Sequence, residues 1–224
     1  YSYSYQYLDN NQKVIYNKIY DDFFYFRHSQ YWRNQAMKKL PILISSTRML
    51  VCGEDLGMIP QSVPSVMKEL QILSLEIQRM PKTPNVLFED LSHIPYMSVC
   101  TTSTHDMTPI RSWWQESSKN SQIYYNEILH IDGIAPEECT PDVCSFIINN
   151  HLNSPAMLVI LPLQDWLSVD GNIRRADPAE ERINIPAVPR HYWKYRMHLP
   201  LEELIKAEEL NTKIETMIML SGRL

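Results

Sequence analysis

Two ionisable pairs stand where short apolar runs give way to polar residues. Glu54-Asp55 follows Met49-Leu50-Val51-Cys52 after one glycine, and His105-Asp106 follows the run that ends near Thr101. A carboxyl that keeps its proton beside one that stays ionised is what glycosidic bond chemistry requires. The first donates to the leaving oxygen, and the second opposes the charge of an oxocarbenium-like transition state. The apolar run before Glu54, with Leu56 after it, predicts a desolvated carboxyl that favours the neutral acid. Asp106 is expected to act as the anion, with His105 donating to a sugar hydroxyl. Tyr96, Trp113, Trp114 and Trp166 offer apolar faces for sugar rings nearby. Spacing alone leaves a plainer alternative open, because carboxylates at the start of a helix are favoured by its dipole. Adjacent Trp113 and Trp114 point in different directions, so at least one packs in the core, and Trp166 reads as core as well. His28, His130 and His151 fall on expected helices, as surface or internally satisfied groups.

The elements that must position these pairs follow from apolar patterning. Short apolar runs at 49–52, 72–77, 96–101 and 157–161 read as buried strands, the first opening directly into the acidic loop. Residues 11–39 carry apolar side chains near helical spacing, with Pro41 expected to stop the run. Ser62 with Pro64, Thr108-Pro109 and Thr140-Pro141 read as cap-plus-proline helix starts. Two closing helices are expected at 199–210 and 212–220, ended by Ser221-Gly222. Buried strands alternating with helices predict an α/β fold, parallel strands with helical crossovers, whose chemistry lies at the strand ends.

Composition narrows the function. The 224 residues carry 21 basic and 26 acidic side chains and a net charge of −5, with the basic ones scattered, so the footprint of a nucleic-acid binder is missing. Five glycines stand where average usage gives about sixteen, which disfavours a glycine-rich phosphate cradle. No apolar run is long enough to span a membrane. Cys52, Cys100, Cys139 and Cys144 lack metal-ligand spacing and read as reduced, buried thiols; neither metal nor cofactor is expected. The chain opens Tyr1-Ser2-Tyr3-Ser4-Tyr5-Gln6-Tyr7 without an initiator Met, which reads as part of a longer protein, and the location expected is the cytoplasm.

Four motifs in order carry a resemblance: Cys52-Gly53-Glu54-Asp55-Leu56-Gly57-Met58-Ile59-Pro60, then Ser103-Thr104-His105-Asp106 leading to Trp113-Trp114, then Pro162-Leu163-Gln164-Asp165, and Glu181-Arg182-Ile183-Asn184-Ile185-Pro186. Together they resemble the 4-α-glucanotransferases of glycoside hydrolase family 77, the amylomaltases and disproportionating enzymes. Gln78-Arg79-Met80-Pro81 and His191-Tyr192-Trp193-Lys194-Tyr195-Arg196 are most similar to the maltose-using type. The resemblance implies a (β/α)8 barrel that transfers segments of α-1,4-glucans, or glucosyl units of maltose, with retention and without a cofactor. It implies Glu54 as general acid/base and Asp106 as transition-state stabiliser. His105, Asp55, Trp114, Gln164, Arg182 and Asn184 are implied as substrate-binding residues.

The family's nucleophile, an Asp in a motif R-x-D-H-F-R-G, has no match here. Arg175-Ala176-Asp177 has the spacing but sits in a polar loop. Residues 1–224 therefore read as strands five to eight, the C-terminal half of the barrel. Such a half is expected to be inactive alone and to self-associate through its exposed edges. A glucan-binding module without catalysis, or a hydrolase, are the rival readings.

Overall fold

The structure, a computed structural model, describes residues 2–57 and 59–223; Met58 of the first motif and Tyr1 lie outside the described residues. The chain divides into two compact units, 1–74 and 75–224.

The first unit is helical. Helix α1 spans Tyr3–Gln6, and α2 spans Asn10–Asp21 behind a capping box in which Asp9 accepts from the Gln12 N–H at 2.8 Å and Gln12 accepts from the Asp9 N–H at 3.0 Å. A π-helical turn at Asp22–Arg27 leads into α3, His28–Ser45. Pro41 does not stop the run as the sequence suggests. Proline holds φ near the helical value, and the last turn continues past it despite the lost N–H donor and the crowding of its ring against the carbonyl four residues earlier. Helix α4, Ser62–Glu69, has Gln61 and not Ser62 as its cap; Gln61 already has helical angles, which moves Ser62 into the first turn beside Pro64. The strand expected at 49–52 is reduced to a parallel bridge between Cys52 and Leu73, with the Leu73 N–H donating to Val51 and the Gly53 N–H to Leu73. Met49, Leu50 and Cys52 are exposed, so the burial that would favour a longer strand is absent, and Cys52 departs from the expected buried thiol.

The boundary between the units falls within β1, Ser74–Ile77. The sheet runs β1-β2-β3, with β2 at Ser98–Thr101 and β3 at Leu158–Val159; β2 and β3 are parallel, Val99 opposite Leu158 and Cys100 opposite Val159. Between them lie α5 (Ile110–Glu116), α6 (Ser118–Ile123), a π-helical turn (Tyr124–Ile128) and α7 (Pro141–Leu152). This is the expected α/β arrangement. Thr140 caps α7 by accepting from the Val143 N–H, with Pro141 at the first helical position, as its sequence suggests. Thr108 does not cap α5. Its hydroxyl donates to Glu116 at 2.7 Å, while the Ile110 N–H is satisfied by Asp165 from far along the chain.

Ile147 and Ile148 of α7, with Ile110, Trp114, Tyr124 and Leu167, form the main core. Cys100, Cys139 and Cys144 are free and buried. His28 and His151 lie on helices, but His130 sits beyond the π turn at φ 55, a left-handed angle that no helix admits. After β3 come α8 (Leu163–Leu167), a 3-10 turn (Pro178–Glu181), α9 (Leu201–Lys206) and α10 (Glu208–Leu220). The break between the closing helices falls at Ala207, earlier than expected, because its ψ of 68° leaves the helix there. Among the described residues no helix is long and apolar enough to cross a membrane.

Candidate active site

Two charged residues, the buried Asp165 and the half-buried Arg79, frame the loop that carries His105 and Asp106. Asp165, 1% exposed in the first turn of α8, accepts from the Thr102 and Ser103 hydroxyls just beyond β2 and from the Ile110 N–H at 2.9 Å. Arg79, just beyond β1, donates to the Thr102 carbonyl at 3.2 and 2.8 Å and to the Thr108 carbonyl at 2.8 Å, with its guanidinium 4.8 Å from the centre of the Trp113 ring. Both ends of the 102–110 segment are thereby tied down. Burial pushes the Asp165 carboxyl up, opposed by its hydrogen bonds and the Arg79 charge, and burial lowers Arg79. Asp165 does not tolerate loss of its partners, because leaving a buried polar group unsatisfied costs on the order of 1–3 kcal/mol.

Within the loop the Asp106 carboxylate is gripped from two sides. Its Oδ1 accepts from the Asn184 amide at 2.6 Å, and its Oδ2 lies 3.3 Å from His105 Nε2. The Asp106 side chain remains 53% exposed, so the carboxylate presents free lone pairs to solvent. Asn184 is itself buried, and its carbonyl accepts from Arg182 Nε at 2.8 Å. Gln164 donates to the Glu181 carbonyl at 3.2 Å, and the Glu181 carboxylate pairs with Arg111 in the interior. A cavity of about 100 Å³ opens beside His105, floored by Ser103, Pro162, Gln164 and Ile183. The arrangement can hold an anion against a cationic centre and accept from hydroxyl groups.

His105, Asp106 and Asn184 are thus brought together, with Gln164 at the cavity and Arg182 fixing Asn184. Trp114 is not a surface platform. It is 1% exposed and its indole donates to the Pro136 carbonyl at 2.8 Å, because neighbouring Trp113 takes the side facing Arg79. Glu54 and Asp55 belong to the first unit. Glu54 is exposed and its Oε1 accepts from the Leu56 N–H at 3.2 Å, so Leu56 supplies a backbone donor in place of the apolar cover expected. Asp55 is buried, and Gly57 beyond it turns the loop at φ 79, an angle suited to glycine. Sequence reasoning missed Arg79 and Asp165 as framing groups. The available signal was a charged residue two to four positions beyond the apolar runs at 72–77 and 157–161, inside motifs already noticed. Among the described residues no three His, Cys, Asp or Glu side chains are grouped to hold a metal.

Comparison with known proteins then bears on this geometry. A family model described as 4-alpha-glucanotransferase, glycoside hydrolase family 77, matches residues 4–202. The rice (Oryza sativa subsp. japonica) 4-alpha-glucanotransferase DPE2 is 40% identical over 216 residues, 96% of this chain and 23% of that protein. A 4-alpha-glucanotransferase of Chlamydia trachomatis is 26% identical over 193 residues, 82% of this chain and 35% of that protein. An amylomaltase from Streptococcus agalactiae, solved in complex with acarbose, superposes with a TM-score of 0.61 at 17% identity, covering 82% of this chain and 35% of that one, and so shares its fold. The chain spans about a quarter to a third of the length of these proteins.

Proposed function

Since the chain belongs to the 4-alpha-glucanotransferase family, glycoside hydrolase family 77, we propose that it carries the acid/base and the charge-stabilising carboxylate of a retaining α-1,4-glucan transferase. In this reading residues 1–224 supply strands five to eight of one catalytic barrel, and the nucleophile comes from outside the chain. Glu54 protonates the oxygen leaving the donor glucan. It then takes the proton from the acceptor hydroxyl that displaces the enzyme-bound sugar. Asp106 faces the developing positive charge at the anomeric carbon and accepts from sugar hydroxyls, with His105 donating to a neighbouring hydroxyl. No external cofactor enters, since carboxylates provide acid, base and counter-charge. Four unbridged cysteines fit a reducing compartment, and we place the protein in the cytoplasm.

The observation that carries this reading is the two-sided grip on Asp106 by Asn184 and His105 at the end of a buried strand. A held carboxylate is preorganised toward the charge it must meet, which is where electrostatic catalysis gains most. Donors and acceptors are maltose and longer α-1,4-glucans.

The test is glucose release from maltose with glycogen as acceptor. The isolated chain should give no turnover. Substituted for the matching 216-residue segment of the rice relative, it should support transfer. Glu54→Gln in that chimera should abolish transfer, and Asp106→Asn should lower it by roughly 10²–10³-fold. Lengthened glucans mark transfer. Net loss of linkages would identify a hydrolase, and glucan binding without turnover in a folded chimera would identify a binding module.

A further inference from the structure

Trp193 stands out among the exposed aromatic residues. It is 59% exposed, yet its indole centre lies 5.2 Å from the His105 imidazole at a 39° tilt, next to the residue gripped by Asn184. Neighbouring Tyr192 is also exposed, but the Lys194 ammonium lies 5.3 Å from its ring centre. The segment bearing Trp193 has no helix or strand of its own and is held by polar ties on both flanks. His191 Nε2 donates to the Ile183 carbonyl at 3.0 Å, Arg175 donates to the Arg196 carbonyl, and His198 Nε2 donates to the Ile173 carbonyl at 2.7 Å. Ile183 precedes Asn184, whose amide holds Asp106. One short stretch, 183–184, therefore sets both the Trp193 loop and the Asp106 carboxylate.

We infer that Trp193 is a binding platform for a glucosyl ring adjoining the one held at Asp106. An indole face matches the apolar C–H face of a pyranose, and His105 buttresses the ring while much of its surface stays open to a ligand. The inference rests on the glucan reading above and adds a residue that reads chain length. A ligand of one sugar fills the position at Asp106 alone, and only a longer glucan reaches the indole.

Calorimetric titration of the full 224-residue chain with glucose and with maltoheptaose tests this. Trp193→Ala is expected to weaken maltoheptaose binding roughly tenfold and leave glucose unchanged. Trp193→Phe should stay within about twofold, and Trp193→Leu, which keeps bulk without a ring, should behave as Trp193→Ala. Equal thermal midpoints across these variants guard against a folding effect, since the side chain is mostly exposed. If maltoheptaose affinity survives Trp193→Ala and Trp193→Leu but falls with Asp106→Asn, the platform is wrong and the glucan reading stands. Loss with Trp193→Ala but not with Asp106→Asn would overturn the placement beside Asp106. Absence of maltoheptaose binding by the unsubstituted chain would overturn the platform, while the glucan reading is decided separately by transfer in the chimera.

Discussion

The two units were built by different rules. In the first, helices α1, α2 and α3 bury none of their described side chains, and Val14, Ile19, Phe23, Phe24 and Phe26 face solvent. What orders these helices is local, such as the Asp9–Gln12 capping box and the Arg27–Asp22 ion pair at 2.5 Å. In the second unit the apolar stripe of α7 is buried, and polar side chains tie remote segments together: Asp165 to Thr102, Arg111 to Glu181, Arg223 to the Leu152 carbonyl. Local rules suffice to make a helix. Holding a carboxylate for chemistry takes ties across the chain, and those described for Asp106 lie in the second unit.

The sharpest way to break this contrast is to cut one large side chain from each unit. Trp114→Ala should cost about 3–5 kcal/mol in denaturant unfolding through the cavity it leaves, whereas Ile19→Ala should stay within about 0.5 kcal/mol. Comparable losses would mean that Ile19 packs within a core after all, beyond Val66, Met67, Ile72 and Leu73, the apolar residues buried in the first unit among those described.

Next in size is an acid-dependent loss in the second unit. His151 is buried on α7, its Nδ1–H donates to the Ile147 carbonyl at 2.8 Å, and its Nε2 is buried without a partner. Burial holds its pKa down to about 4. The unfolded chain, titrating near 6.5, takes the proton first, so stability is full above about pH 6.5 and falls toward pH 4 by up to about 3 kcal/mol. His151→Gln should flatten this limb in unfolding free energies measured from pH 4 to 7. An unchanged slope would assign the acid sensitivity elsewhere.

A smaller effect is expected at the α7 cap, where Thr140→Ala removes the acceptor for the Val143 N–H and should cost about 1 kcal/mol. The least effect on stability is expected from Ile19→Ser with Phe24→Ser. Its consequence should show in sedimentation velocity, as weaker concentration-dependent association, because exposed apolar side chains favour association; association through the half-barrel edges expected from the sequence would instead survive the pair. Association unaffected by the pair would move the contact away from these helices.

Much of this was legible before any coordinates. The β2 and β3 runs, the α7 start at Thr140-Pro141 and the His105-Asp106 pair after a strand stand where local patterning places them. The misreadings have two sources, partners distant in sequence and local backbone geometry that patterning does not show. Thr108 lost its capping role to Asp165, Trp114 went inward because Trp113 took the Arg79 side, and Glu54 lay open where its neighbours suggested cover. By itself the sequence determined the alternation of strands and helices, the loops that hold the carboxylates and, through ordered motifs, the family. Only the tertiary structure decided that Asn184 and His105 grip Asp106, that Arg79 and Asp165 frame that loop, and that Trp193 stands beside it. Propensity and periodicity act over a few residues along the chain, whereas buried polar groups must find partners wherever folding brings donors and acceptors together.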